Sequence, residues 1–220
     1  LVQVRAVDNK DRWMVTVDSA DQQVTQLHRL TDPAWINWAF NEFGWVPDSE
    51  TVWLLSEESG YSHLYTIDGE GRKSQRTSGD FEVYDIEFAA DGKSALMISN
   101  AAHPTEYDLY ELEIGSGNMQ RLTRVRGVES HALHPGSGNV LVRHSDSYLP
   151  PQAAVLERAS GTLKAAPDTR TDEYRALEWQ QPKFVALPSS HVDAPIWTKF
   201  YPARGDFKGP RPAVVFVHGA

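Results

Sequence analysis

The sequence predicts an all-β chain that forms a partial β-propeller of about four four-stranded blades. The first observation is a unit at residues 43–77 with four short strand-like segments, separated by turns rich in Pro, Asp, Ser and Gly. Aromatic and β-branched residues, which favour strands, dominate these segments. The second observation is that residues 95–99 and 108–112 repeat the apolar segments at 52–56 and 63–67. A looser third copy covers residues 135–169.

The third observation is a threonine that recurs at a constant interval. Thr31, Thr77, Thr123 and Thr169 follow one another at intervals of 46 residues. A repeat of this length that contains four strands is typical of propeller blades. We therefore assign residues 1–179 to an incomplete propeller, in which residues 1–31 are the end of one blade.

An aromatic stretch connects the first blade to the second, with five aromatic residues between positions 32 and 45. Trp35, Trp38 and Phe40 could form a platform on which a ligand stacks. They could equally pack between neighbouring blades, where propellers commonly place aromatic side chains. We favour packing.

Glu57 and Glu58 are adjacent carboxylates at a turn of the best-defined repeat. Paired carboxylates can perform acid–base chemistry or bind a cationic amine. Because successive residues of a strand point in opposite directions, the two would converge only if the turn brought them together. We expect a solvated turn.

The eight histidines do not form a recognisable metal motif. His131 and His134 have a spacing that could bind a metal on a helix, but their surroundings alternate as in a strand, and no acidic residue completes a zinc set. His63 occupies a repeat position that Asp108 takes in the next copy, which indicates a structural role. We expect neither a metal nor a cofactor.

The pattern changes near the end of the chain. Residues 174–179 are predicted to be a last blade strand, and residues 183–187 and 194–201 a hairpin. A loop then leads to the apolar run 213–217, which suits a strand buried on both faces of a parallel sheet. Since each large side chain left exposed there would forgo about 1.5–3 kcal/mol of burial, we expect the chain to be part of a longer polypeptide.

An α/β-hydrolase sheet begins with two antiparallel strands, a loop and an apolar strand. The sequence predicts the same order here, and its apolar strand ends in His218-Gly219. We therefore assign residues 180–220 to the start of such a domain. In lipases and esterases the His-Gly step opens the loop that donates a backbone N–H to the oxyanion hole. His218 and Gly219 are thus candidates for the start of that loop.

A propeller followed by such a strand resembles the prolyl oligopeptidase family of serine peptidases, in its dipeptidyl peptidase IV branch. The stretches that carry the resemblance are residues 43–48, 53–65 and 212–219. It implies that the propeller caps a catalytic domain and restricts access to short peptides, which a Ser/Asp/His triad cleaves after proline or a small residue. No Gly-x-Ser-x-Gly elbow occurs in the chain, so we assign it no catalytic residue and expect these 220 residues alone to be inactive.

Composition and comparison with other propeller types give further expectations about partners and function. The net charge of −9 argues against nucleic-acid binding, and the absence of a long apolar run argues against a membrane span. Exposed blade edges or the hydrolase domain would support a homodimer. A non-enzymatic scaffold of the WD-repeat or TolB type explains residues 1–175 but not 182–220. A sialidase-like propeller would need a glycine in the turn after Asp48 and a central arginine cluster, and neither is evident.

Overall fold

Short antiparallel strands joined by tight turns form nearly all of the regular structure. The computed structural model describes residues 1–205 and 208–217, and it divides the chain into two units, Leu1–Arg175 and Ala176–Ala220. The first sheet contains β1 (Val2–Arg5), β2 (Asp11–Val17) and β3 (Val24–Thr31); the second contains β4 (Phe43–Trp45), β5 (Val52–Ser56), β6 (His63–Ile67) and β7 (Lys73–Gln75). The third contains β8 (Val83–Phe88), β9 (Ser94–His103), β10 (Glu106–Glu113) and β11 (Met119–Arg121); the fourth contains β12 (Val128–Leu133), β13 (Val140–Asp146), β14 (Leu149–Glu157) and β15 (Thr162–Ala165).

Each sheet is an antiparallel meander in which consecutive strands are neighbours. The predicted blade at residues 43–77 is the second sheet, and its two copies are the third and fourth sheets. The prediction of a nearly all-β fold made of four-stranded blades is therefore confirmed. The first sheet has three strands among the described residues, and these correspond to the last three strands of the other sheets.

The recurring threonine has the same position in all four sheets. It lies at or after the end of the last strand, and its hydroxyl group bonds to a side chain near the start of the strand before it. The pairs are Asp11–Thr31 at 2.6 Å, His63–Thr77 at 3.0 Å, Asp108–Thr123 at 2.6 Å and Gln152–Thr169 at 3.4 Å. In the second and third sheets the same hydroxyl oxygen also accepts a backbone N–H, from Leu64 and Leu109. A hydroxyl can donate and accept at once, so one side chain fastens the end of the sheet.

Apolar side chains fill the spaces between consecutive sheets. Met14 packs against Leu54, Tyr65 and Ile67 between the first and second sheets. Larger clusters lie between the second and third sheets and between the third and fourth: Val46, Trp53, Leu55, Leu64, Val83, Met97, Tyr110 and Leu112 in one, and Leu96, Ile98, Leu109, Val128, Val140, Val142 and Leu156 in the other. β5 and β6 are buried on both faces because each face meets a neighbouring sheet.

Hydrogen bonds between sheets join residues about one repeat apart. The Glu87 carboxylate accepts the backbone N–H of Leu133, 46 positions later, at 2.9 Å. Arg158 pairs with Glu111, 47 positions earlier. Both bonds cross the junction between the third and fourth sheets, where residues at matching positions of the repeat meet.

The predicted strand at residues 174–179 is wrong. The structure has a short helix there, α1 (Asp172–Ala176). The Thr171 hydroxyl accepts the N–H of Tyr174, and Asp172 and Glu173 lie in the first turn. A threonine cap followed by acidic residues favours the start of a helix, because both compensate unpaired N–H groups.

The second unit contains the predicted hairpin. β16 (Lys183–Leu187) pairs antiparallel with β17 (Ile196–Phe200), with Val185 opposite Thr198. The expected buried strand at residues 213–217 is not formed: these residues have no regular secondary structure, and Val214 and Phe216 are 97% and 83% exposed. A buried parallel strand needs strands beside it and helices over both faces. The described residues of this unit provide only the hairpin.

Candidate functional site

The first strands of successive sheets lie side by side and present a row of carboxylates. We call β4, β8 and β12, with the residues directly before them, the first-strand edge. Its acidic residues are Glu42, Glu82, Asp85, Glu87 and Glu129. The side chains of Asp85, Glu87 and Glu129 are each between 31% and 41% exposed, so they can contact a molecule that approaches this edge.

Glu42 fixes the spacing between the second and third sheets. β8 is irregular between Tyr84 and Glu87, and Asp85 adopts a positive φ of 53°. This kink presents two consecutive N–H groups, of Asp85 and Ile86, which the Glu42 carboxylate accepts at 2.9 Å each. Aspartate tolerates this conformation better than most residues. Glu42 therefore serves the backbone of the next sheet and is not free to bind a ligand.

Aromatic rings lie among the carboxylates of this edge. Phe40 packs on Tyr84, with ring centroids 6.1 Å apart, and Tyr84 on Tyr107, at 5.8 Å. The Tyr107 hydroxyl donates to the Glu82 carboxylate. Burial, reinforced by the nearby negative charge of Asp85, raises the pKa of Tyr84 to about 12, and burial also raises the pKa of Tyr107. Both phenols are therefore protonated at neutral pH and can donate hydrogen bonds.

Glu57 and Glu58 lie at the predicted turn, and residues of distant segments hold the Glu58 side chain. Glu58 accepts from His28 at 3.0 Å and from Lys73 at 2.6 Å, and the hydrogen bond from His28 is the main reason why its pKa falls to about 2. Burial, and then the charge of Glu82, raise the pKa of Glu57. The two carboxylates have different environments, as expected for adjacent residues that point in opposite directions. They do not form one acid–base pair.

Arg12 is a buried charge that the sequence did not reveal. It is 1% exposed, and its Nη1 donates to the Leu55 carbonyl oxygen at 2.9 Å and to the Asn41 side chain. Burial lowers its pKa to about 10, against the attraction of Glu58 and Glu57. The guanidinium therefore stays charged at neutral pH and ties β2 to β5. A strand that alternates polar and apolar residues gave no sign that this arginine is buried.

The three aromatic residues for which we weighed a platform against packing have separate environments. Phe40 packs on the third sheet through Tyr84, as the packing interpretation expected. The Arg5 guanidinium lies over the Trp38 ring, 4.9 Å from its centroid. Trp35 is 46% exposed.

The amino-terminal two thirds of the chain match a known family. A family profile for the "Dipeptidyl peptidase IV (DPP IV) N-terminal region" matches residues 1–151. The chain belongs to this family. No curated protein matches it.

Solved structures of the DPP IV type share the fold. Dipeptidyl peptidase 4 from Porphyromonas gingivalis aligns with a TM-score of 0.72 at 15% identity, over 89% of this chain and 28% of that one. A dipeptidyl aminopeptidase IV candidate from Bacteroides ovatus aligns at 0.66 and 12% identity, over 86% and 30%. TolB from Acinetobacter baumannii aligns at 0.53 and 18% identity, over 74% and 40%. The chain thus spans less than half the length of each of these proteins.

Three histidines of this DPP IV region have partners within the fold. His63 is buried; its Nδ1 lies 3.0 Å from the Thr77 hydroxyl and its Nε2 3.1 Å from the Gly79 carbonyl oxygen. Burial lowers the pKa of His63, so its neutral form is favoured. His131 pairs with Asp85 at 3.2 Å, whereas His134 accepts backbone N–H groups of its own turn. Over residues 1–205 and 208–217, no three His, Asp or Glu side chains are grouped as a metal site.

Two further expectations from the sequence concern an oxyanion loop and a membrane span. His218 and Gly219, the candidates for an oxyanion loop, lie outside the described residues. Within the described part of the chain, no helix is long and apolar enough to cross a bilayer.

Proposed function

We propose that this chain is the propeller portion of a serine peptidase that hydrolyses short peptides, and that it controls access to a catalytic domain elsewhere in the parent protein. The observation that supports the proposal is the match to the DPP IV N-terminal region over residues 1–151, within a unit built of blade-like sheets. In this proposal residues 180–220 begin the α/β-hydrolase domain, and the catalytic triad follows them.

The first-strand edge is the surface that would meet a peptide. In a propeller the first strands surround the central channel. A carboxylate such as that of Asp85 would attract a protonated amino terminus, and aromatic faces such as that of Tyr84 favour cations. Such contacts select and orient a substrate without taking part in the reaction.

The reaction itself is acyl transfer in the parent protein. A serine attacks the peptide carbonyl while a histidine takes the serine proton and passes it to the leaving amine. Backbone N–H groups stabilise the oxyanion. We place the start of the oxyanion loop at His218 and Gly219, and we propose that cleavage releases dipeptides or follows proline.

Two measurements on the parent protein test this proposal. A fluorophosphonate probe should label one serine outside these 220 residues, and the enzyme should hydrolyse Gly-Pro-p-nitroanilide. If it is a dipeptidyl peptidase, blocking the substrate's amino group should abolish hydrolysis; a post-proline endopeptidase should keep it. The isolated 220-residue chain should be inactive in both assays. Hydrolysis by a clean preparation of the isolated chain would refute the assignment.

A scaffold of the TolB type is the second candidate, because TolB shares the fold of the blades. It explains the blades equally well but gives no role to residues 182–220. A parent protein that neither reacts with the fluorophosphonate nor cleaves the dipeptide substrates would support the scaffold over the peptidase.

A further inference from the structure

A cavity of about 540 Å³ lies between the third and fourth sheets, on their outer strands and away from the first-strand edge. Arg121, Arg124 and Arg158 line it, together with one carboxylate, Glu111. Leu122 and Leu156 supply apolar walls. We call this cavity the arginine pocket. Three guanidinium groups and one carboxylate line it, and two further carboxylates, Asp108 and Glu106, pair with Arg121 from outside the lining.

The arginines of the pocket retain unused hydrogen-bond donors. Each guanidinium carries five N–H donors. Arg121 uses Nε for the Thr123 carbonyl oxygen and Nη2 for Asp108 and Glu106, and Arg158 uses Nη2 for Glu111. Within residues 1–205 and 208–217, Nη1 of both side chains has no hydrogen-bond partner. Arg124 is exposed and forms neither a hydrogen bond nor an ion pair in the same part of the chain.

The bonds that these arginines do make hold them in place. Asp108, which is fully buried, accepts from Arg121 at 2.5 Å, and the side chains of Arg121 and Arg158 are only 20% and 30% exposed. A guanidinium that the protein already fixes on one side loses little conformational freedom when its other side binds a ligand. Its planar fork matches the two oxygens of a carboxylate or phosphate.

We propose that the arginine pocket binds an anionic ligand through an oxyanion, either a carboxylate or a phosphate. Arg124 and Arg158 bind the oxyanion, and Arg121 offers it the N–H groups of its unused Nη1. Leu122, which is only partly buried, contacts the apolar part of the molecule that carries the anion. This site is independent of the peptidase assignment, since it lies on the outer strands.

Calorimetric titration of the 220-residue chain with inorganic phosphate and, separately, with glutarate tests the proposal at low salt. We expect saturable binding of at least one probe, and the probe that binds identifies the group. Arg124→Gln and Arg158→Gln should each weaken binding about tenfold, the usual effect of losing one charge-assisted hydrogen bond. Glu111→Gln should strengthen binding severalfold because it removes the competing carboxylate.

Arg126→Gln is the matched control, because Arg126 is 72% exposed, lies close to Arg124 in sequence and does not line the pocket. It should leave the affinity within a factor of two of the unmodified chain. Near-ultraviolet circular dichroism confirms that each variant is folded. If Arg158→Gln unfolds, Arg124→Gln still tests the proposal, because this substitution removes no hydrogen bond or ion pair among the described residues. The proposal is overturned if neither probe saturates, if Arg124→Gln binds as tightly as the unmodified chain, or if Arg126→Gln weakens binding as much.

Discussion

Replacing Asp108 with alanine should be among the most damaging single changes in this chain. Asp108 is fully buried, and its carboxylate accepts from the Thr123 hydroxyl at 2.6 Å, from Val125 N at 2.9 Å and from Arg121 Nη2 at 2.5 Å. Alanine would leave these donors without their partner beside the core of the third sheet. Breaking a buried ion pair costs about 3–5 kcal/mol, and we expect the free energy of unfolding to fall by about 4 kcal/mol.

The assay is urea denaturation followed by tryptophan fluorescence. With an m-value of about 2–3 kcal/mol/M, a loss of this size lowers the midpoint by about 1.5 M urea. Because each sheet contacts only its neighbours, unfolding can proceed sheet by sheet, so hydrogen exchange should locate the change. Exchange should accelerate first in β10 and β11 and in the loop at residues 123–127.

Asp11 provides the matched control, since it occupies the corresponding position in the first sheet. It makes the same bond to its threonine, at 2.6 Å, and pairs with Arg29 at 2.9 Å. Its side chain is 21% exposed and that of Arg29 51%, so water can replace the lost contacts. Asp11→Ala should therefore cost much less than Asp108→Ala. Equal losses, or a loss below about 1 kcal/mol for Asp108→Ala, would refute the view that burial gives this repeated bond its strength.

Three further changes test other parts of the molecule. Glu42→Ala leaves the N–H groups of Asp85 and Ile86 without their acceptor, so their hydrogen exchange should accelerate at least about tenfold, whereas exchange in the fourth sheet should not change. Glu58 has a pKa lowered to about 2 from 4.5, so its stabilising effect is complete above pH 4.5 and is lost as the pH falls towards 2. Because its side chain is partly exposed, we expect the free energy of unfolding to fall by about 1–2 kcal/mol over that range. Glu58→Gln should remove this pH dependence of the free energy of unfolding. Met97→Ala should cost about 3 kcal/mol in urea denaturation, since Met97 is fully buried between the second and third sheets; a loss below about 1 kcal/mol would indicate that the core repacks.

The candidate site could be predicted only in part. The sequence shows that Glu57 and Glu58 are adjacent carboxylates. It does not show that His28 and Lys73, from distant segments, hold Glu58. Glu42 was missed although it lies directly before a first strand. Its position opposite the kink at Asp85 became visible only when the two sheets were placed together.

The sequence by itself determined that the chain is a series of four-stranded antiparallel sheets, and where most strands begin and end. Alternation, turn residues and the threonine interval are local properties, and each sheet closes on itself through the bond of its own threonine. The tertiary structure decided which charges are buried, which carboxylates remain exposed, and that arginines from two sheets share one pocket. These features depend on contacts between residues about one repeat apart, and no pattern within a single repeat records them.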